Sequence, residues 1–189
     1  MSGQYGVIIA DPPWQYSNAG VRGNAEDQYS GTMTVADICA LPVADLAAPN
    51  CVLLCWATWP LLREGLAVVQ AWGFEYVTGF PWVKLTDEPR RNLWGDVEFK
   101  PQYGTGFWGR GCTELLLIGR RGKVEVPRTA SNTVLLLSAN FGHSRKPENL
   151  YEYAEQFAGP YLELFARRRR PGWDVFGNEV ADSIRLGAA

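Results

Sequence analysis

The stretch Val7-Ile8-Ile9-Ala10-Asp11-Pro12-Pro13-Trp14 decides how the rest of the chain is read. A short apolar run predicts a buried strand, and it stops at a carboxylate, two prolines and an indole. Proline cannot extend a central strand, and it biases the residue before it away from helical backbone. Asp11 is therefore expected at the carboxyl end of a strand, on a stiff turn of fixed direction. Open α/β sheets hold their ligands at such ends.

These residue types suit the activation of a weakly nucleophilic aromatic amine. The exocyclic amine of adenine has its lone pair delocalised into the ring, so alkylation requires that lone pair to be aimed at an electrophilic carbon. Asp11 and the carbonyl of Pro12 each offer an acceptor for one amine hydrogen, and both favour positive charge developing on nitrogen. The locked φ angles of Pro12 and Pro13 limit reorganisation. Trp14 offers a flat face, and base–aromatic stacking is worth about 1–3 kcal/mol. An ordinary strand, a proline turn and a buried Trp account for the same four residues equally well.

Length bounds the rest. The 189 residues suit a single α/β-sized domain, and 47% hydrophobic with 20% charged residues is ordinary for a soluble globular protein. Eight tryptophans supply stacking surfaces as well as core. A net charge of −2 gives no global basic field, so any nucleic-acid surface must be local. Cys39, Cys51, Cys55 and Cys112 lack zinc or redox spacing, and Cys51 and Cys55 fall in an apolar run. A reducing, cytoplasmic location is expected, with no disulfide framework. His143 is the sole histidine, so no His-rich zinc site and no metal are expected. No signal peptide and no membrane-spanning apolar stretch are read.

Outward from the first strand, residues 15–31 are polar, glycine-containing and without period, as in a functional loop. Tyr16 and Tyr29 are candidates for its substrate face. Thr34 with Asp37 predicts a short capped helix to Ala40. Cys51–Trp56 predicts a second strand, and Leu62, Leu66 and Val69 a helix up to Trp72. Glu75–Phe80 and Trp82–Lys84 predict strand interrupted at Pro81. Strand, helix, strand at this spacing argues for an α/β fold with a mostly parallel sheet.

Residues 86–111 form a second irregular region, in which Arg90, Arg91, Lys100 and Arg110 interleave with Trp94, Phe99, Tyr103, Phe107 and Trp108. Cations track phosphates and aromatics accept bases, so a nucleic-acid contact is expected, against a solvated insertion. Gly104-Thr-Gly106-Phe-Trp-Gly109 matches a dinucleotide-binding pattern, but no strand precedes it and no helix follows, so that reading is rejected. Further strands are expected at Glu114–Ile118, Thr133–Leu137, Tyr161–Ala166 and Gly172–Phe176, with a helix over Glu148–Phe157 opened by Pro147. The Arg167–Arg170 run, taken alone, reads as a solvated face.

Taken in order, Asp11-Pro-Pro-Trp14, Gly31-Thr-Met33, Trp72-Gly-Phe74, Trp82-Val-Lys84, Glu114-Leu-Leu-Leu-Ile-Gly119, His143-Ser-Arg-Lys-Pro147, Glu163-Leu-Phe-Ala-Arg167 and Gly172-Trp173 with Gly177-Asn-Glu179 form a collinear set. The set resembles the DPPW-type N6-adenine methyltransferases. The resemblance implies a Rossmann-like sheet with helices on both faces and permuted motif order, the catalytic strand preceding the cofactor strands. It implies S-adenosylmethionine as methyl donor and nucleic acid as substrate, DNA ahead of RNA. Asp11, Pro12, Pro13 and Trp14 become the site of amine activation. Ala10, Asp11, Lys146, Arg167, Asn178 and Glu179 become cofactor contacts, while Trp14, Tyr16, Tyr29, Glu114 and Arg110 face the substrate. His143 is expected to orient its loop. One departure concerns the residue before Gly31, which is Ser30 where the family often has an aromatic. Direct attack of the amine on the sulfonium methyl needs neither a metal nor a covalent intermediate. The same chemistry on RNA, and a non-catalytic nucleic-acid-binding partner with this fold, are the alternatives.

Overall fold

The computed structural model describes residues 4–15, 31–104, 108–128, 137–139, 146–177 and 179–186. Its strands are β1 (Tyr5–Ala10), β2 (Ala47–Ala57), β3 (Glu75–Leu85), β4 (Arg90–Arg91), β5 (Val97–Glu98), β6 (Thr113–Arg121), β7 (Leu137–Ala139), β8 (Tyr161–Leu164) and β9 (Trp173–Phe176). Helices α1 (Val35–Ala40), α2 (Val43–Leu46), α3 (Leu62–Ala71) and α4 (Glu148–Ala154) accompany them. Seven strands make one sheet in the order β7-β3-β6-β2-β1-β8-β9. In that sheet β6 alone runs against its neighbours, since it pairs antiparallel with both β2 and β3 while the other pairings are parallel. The result is the mostly parallel, Rossmann-like α/β sheet that the motif order implies.

β1 lies in the middle because it is apolar on both faces. Ile8 and Ala10 enter one core with Leu53, Cys55, Ile38, Val68 and Trp72. Val7 and Ile9 enter another with Leu54, Trp56, Leu116, Leu150 and Tyr151. The first core is closed by α1 and α3, the second by α4. β8 arrives from the far end of the chain and pairs with β1 through Ile9↔Glu163 and Ala10↔Leu164. That pairing brings the late Arg167 segment beside the early Asp11 turn.

Local chemistry sets the element ends. The Thr34 side chain accepts the Asp37 N–H at 3.1 Å, capping α1. Gly73, at φ 79°, closes α3 by supplying the left-handed residue after it, with Phe74 N–H donating to the Val69 carbonyl at 3.1 Å. The expected helix over Glu148–Phe157 ends earlier, at Ala154. The strand expected over Tyr161–Ala166 stops at Leu164 because Phe165 turns at φ 62°.

Two expectations are corrected. Pro81 does not interrupt β3, which runs through it in register with Leu115. Pro81 sits in the antiparallel pairing with β6, and β7 joins the other side of β3 at Val83–Leu85. Residues 86–111 are not wholly irregular, because β4 and β5 form a hairpin. Its turn is built by Asn92, whose side-chain oxygen accepts the Trp94 and Asp96 N–H groups, both at 2.9 Å. Below it, Thr86 N–H bonds the Lys100 carbonyl and Gln102 N–H the Lys84 carbonyl, extending β3 outward as a ribbon. Of the strand expected at Thr133–Leu137, only Leu137 lies among the described residues.

Candidate active site

Asp11 sits one residue past the end of β1, at the carboxyl edge of the parallel strands. The turn after it is stitched at several points. Trp14 N–H donates to the Pro12 carbonyl at 2.9 Å, Met33 N–H to the Pro13 carbonyl at 2.8 Å, and Gln15 N–H to the Met33 carbonyl at 3.2 Å. The Trp14 indole is 8% exposed and donates to the Trp56 carbonyl at 3.2 Å. In this structure Trp14 anchors the turn into the core, with little ring surface left open for a base. One lone pair of the Pro12 carbonyl is occupied by Trp14 N–H, which leaves the second for an incoming donor.

Charge around Asp11 is organised as an alternating row. Lys146 Nζ lies 3.0 Å from Asp11 Oδ1 and 3.0 Å from Glu114 Oε2. Glu114 Oε1 in turn lies 2.5 Å from Lys84 Nζ. Each ammonium rests on an indole, Lys146 5.0 Å from the Trp56 ring centre and Lys84 5.1 Å from that of Trp82. Burial pushes the Asp11 carboxyl above the usual carboxylate range, even with the Lys146 ammonium beside it. Burial acts in the same direction on Glu114, but the Lys146 and Lys84 charges outweigh it and hold that carboxyl low. For Lys146, burial opposes the charge, and Asp11 and Glu114 more than compensate, raising its affinity for the proton.

A cavity of about 260 Å³ opens beside Asp11, with Lys146, Glu163, Phe165, Arg167 and Glu179 in its wall. Arg167 and Glu179 form an ion pair at 2.7 Å, both partly exposed. Glu163 is the described charged residue that is buried, at 9% exposure. Its Oε1 accepts the Tyr151 hydroxyl at 2.9 Å, while its Oε2 is enclosed without a hydrogen-bond partner. Burial raises the Glu163 carboxyl, and the Tyr151 bond offsets only part of that. Gly177 packs against the turn leaving β8 so closely that a Cβ there would lie 2.2 Å from the Ala166 carbonyl oxygen. The wall thus combines a cation and carboxylates for the amino-acid end of a ligand with a guanidinium–carboxylate pair suited to hydroxyls.

The structure gathers Asp11, Pro12, Pro13, Lys146, Glu114, Arg167 and Glu179 around this edge. Ala10 is fully enclosed and belongs to the core on the opposite face, so only its backbone is near the site. Arg110 does not line the cavity; its guanidinium lies 5.7 Å from the Tyr103 ring centre. Tyr16, Tyr29, His143 and Asn178 lie outside the described residues. The arginine run stays largely exposed, as expected of a charged face, but its members are bonded. Arg167 pairs with Glu179, Arg168 with Glu148, Arg170 with Glu148 and Glu155, and Arg169 donates to the Ala181 carbonyl. Sequence reasoning missed Lys84, Glu163 and Phe165. A carboxylate inside the apolar run Tyr161–Ala166 was a signal for Glu163, whereas a left-handed Phe165 leaves no mark in sequence.

A mostly parallel sheet with an acidic proline turn and a charged cavity at its carboxyl edge is the arrangement of a Rossmann-like methyltransferase. The chain belongs to the MT-A70 family, whose model matches residues 5–179. It is 30% identical to the Type II methyltransferase M.MunI of Mycoplasma sp, over 95% of this chain and 79% of that protein. It is 33% identical to human N(6)-adenine-specific methyltransferase METTL4, over 93% of this chain but 37% of that protein. It is 28% identical to the N6-methyladenosine RNA methyltransferase MTA1 of Cryphonectria parasitica, over 93% of this chain and 52% of that one. The chain thus spans most of the first relative and about a third to a half of the others. By family it is an enzyme that methylates the N6 position of adenine in nucleic acid.

Proposed function

We propose that the chain uses S-adenosylmethionine to methylate adenine N6 in DNA, with Asp11 and the Pro12 carbonyl holding the amine. The observation that carries this reading is the Asp11 carboxylate at the carboxyl end of β1, 3.0 Å from Lys146 and beside a charged cavity. When bound, the cofactor supplies an electrophilic methyl on a positively charged sulfur. Lys146 would hold its carboxylate, Arg167, Glu179 and Asn178 its ribose and adenine. The orphaned Glu163 Oε2 and the Lys146 ammonium fit a ligand carrying both charges.

The remaining work belongs to the protein. Asp11 accepts one amine hydrogen and the free lone pair of the Pro12 carbonyl accepts the other, which turns the nitrogen lone pair toward the cavity. The stitched turn holds both acceptors before substrate arrives, so catalysis comes from positioning and fixed dipoles. A base in duplex must first leave the stack, at a cost of about a few kcal/mol. The β4–β5 hairpin presents Leu93 at 95% and Trp94 at 80% exposure, and Trp108 is fully exposed as well, which suits contact with unstacked bases. DNA is preferred to RNA because the chain spans most of the Type II enzyme, while the RNA-named relative is matched over about half its length. A cytoplasmic location follows from that reading, and no helix among the described residues is long and apolar enough to cross a membrane.

Mass spectrometry of nucleosides from DNA and RNA incubated with the enzyme and isotopically labelled cofactor tests this. N6-methyldeoxyadenosine carrying the label is the expected product. Label in N6-methyladenosine alone would move the substrate to RNA, and label in neither would overturn the reading.

A further inference from the structure

We propose that Lys84 is a positioning residue, whose ammonium occupies one oxygen of Glu114 so that Lys146 remains shared with Asp11. The inference rests on the reading of Asp11 as the acceptor of the amine. Four elements converge to make the row: β1 delivers Asp11, the residue before Pro147 is Lys146, β6 carries Glu114 and β3 carries Lys84. The two oxygens of Glu114 are divided, Oε1 to Lys84 at 2.5 Å and Oε2 to Lys146 at 3.0 Å. Trp82 stands in register opposite Glu114, and its ring packs edge-on against Trp56 at 5.8 Å. Each indole carries one of the two ammonium groups, so the spacing of the row is set by packed aromatics rather than by free side chains.

The consequence is electrostatic. Asp11 and Glu114 compete for a single ammonium between them. A second cation on Glu114 weakens its hold on Lys146 and leaves that charge divided between the two carboxylates. Without Lys84, Lys146 is drawn toward Glu114, and Asp11 faces its buried surroundings with less compensation. The other groups facing Asp11 are Arg167 beyond β8, Glu163 on β8 and Cys55 on β2, and a substitution at Lys84 leaves all three in place.

Carbon-13 NMR of the side-chain carboxyls in the free protein, with Asp11 assigned through Asp11→Asn, reads this directly. Lys84→Met is expected to move the Asp11 titration midpoint upward by about one pH unit, while Lys84→Arg holds it. In a Glu114→Gln background, where the competition is already gone, Lys84→Met should move it far less. An unmoved midpoint in Lys84→Met overturns the proposal. Should Lys84→Met fail to fold, Lys84→Gln, which keeps a polar side chain but loses the charge, carries the same comparison. In methyl-transfer assays, Lys84→Met is expected to move the acid limb of kcat upward by the same interval, with KM for both substrates unchanged. A raised oligonucleotide KM and reduced salt dependence, with the midpoint in place, would make Lys84 a phosphate contact instead. Wild-type protein that transfers no methyl would refute the proposed function, and the NMR titration would still decide the role of Lys84.

Discussion

Asp11 carries a tension that shows how the site works. Its carboxyl is deep enough for burial to favour the proton, yet amine activation needs it ionised. Lowering the pH therefore protonates Asp11 earlier than an ordinary aspartate, while Glu114, held low by two ammonium groups, stays charged. The acid limb of single-turnover methyl transfer is expected above the ordinary carboxylate range. Asp11→Asn should lower the rate by about 10²–10³ and abolish that limb. An acid limb at an ordinary aspartate value, or a variant as fast as wild type, would argue against this role.

Tyr151 and Glu163 make a second test at the same scale. Tyr151→Phe removes the hydroxyl that donates to the buried carboxyl and should cost about 1–3 kcal/mol of stability. Glu163 holds its proton more tightly folded than unfolded, so its ionisation weakens the fold as pH rises through that raised value. Losing the donor raises it further. The destabilisation in urea melts should thus be larger at pH 8 than at pH 4, and an equal loss at both would show that Glu163 is not involved.

Among the elements, the β4–β5 hairpin differs from the rest because it is ordered without being buried. Asn92 and Gly95, at φ 85°, fix its turn, and Arg91 adds a bond to the Gly95 carbonyl at 2.8 Å. The tip residues Leu93 and Trp94 pack on almost nothing, so their removal should leave thermal stability unchanged. If they meet bases, Trp94→Ala should weaken oligonucleotide binding by about 1–3 kcal/mol, read by fluorescence anisotropy. Unaltered affinity would assign the tip elsewhere. The segment from Thr86 to Gly111 holds four acidic and four basic residues, so stacking rather than net charge is expected to dominate there.

For the molecule as a whole, the cavity predicts a linkage between cofactor and stability. A ligand that binds the folded chain alone, at about a hundred times its Kd, adds about 2.7 kcal/mol. For a chain of this size that corresponds to a rise of roughly 5–10 °C in Tm. A thermal melt with and without S-adenosylmethionine measures it, and an unshifted Tm would leave the cavity without its ligand.

The elements were largely legible in the sequence. An apolar run halted by Asp11-Pro-Pro, a Thr34 cap and a Gly73 stop act over a few residues, where backbone sterics and local hydrogen bonds dominate. Local rules failed where a distant partner intervened. Pro81 is carried through a strand held in register by β6, and Asn92 builds a turn inside a segment without visible period. The candidate site was legible as residue types, since Asp11, Glu114, Lys146, Arg167 and Glu179 all fall within the motif set, but not as an arrangement. Only the tertiary structure shows Lys146 shared between two carboxylates, Lys84 behind them, and Trp14 turned into the core. Those facts depend on which strands lie side by side, and the pairing of β1 with β8 joins residues more than 150 positions apart. Electrostatic coupling and burial act through space, so they exist only once the sheet has been assembled.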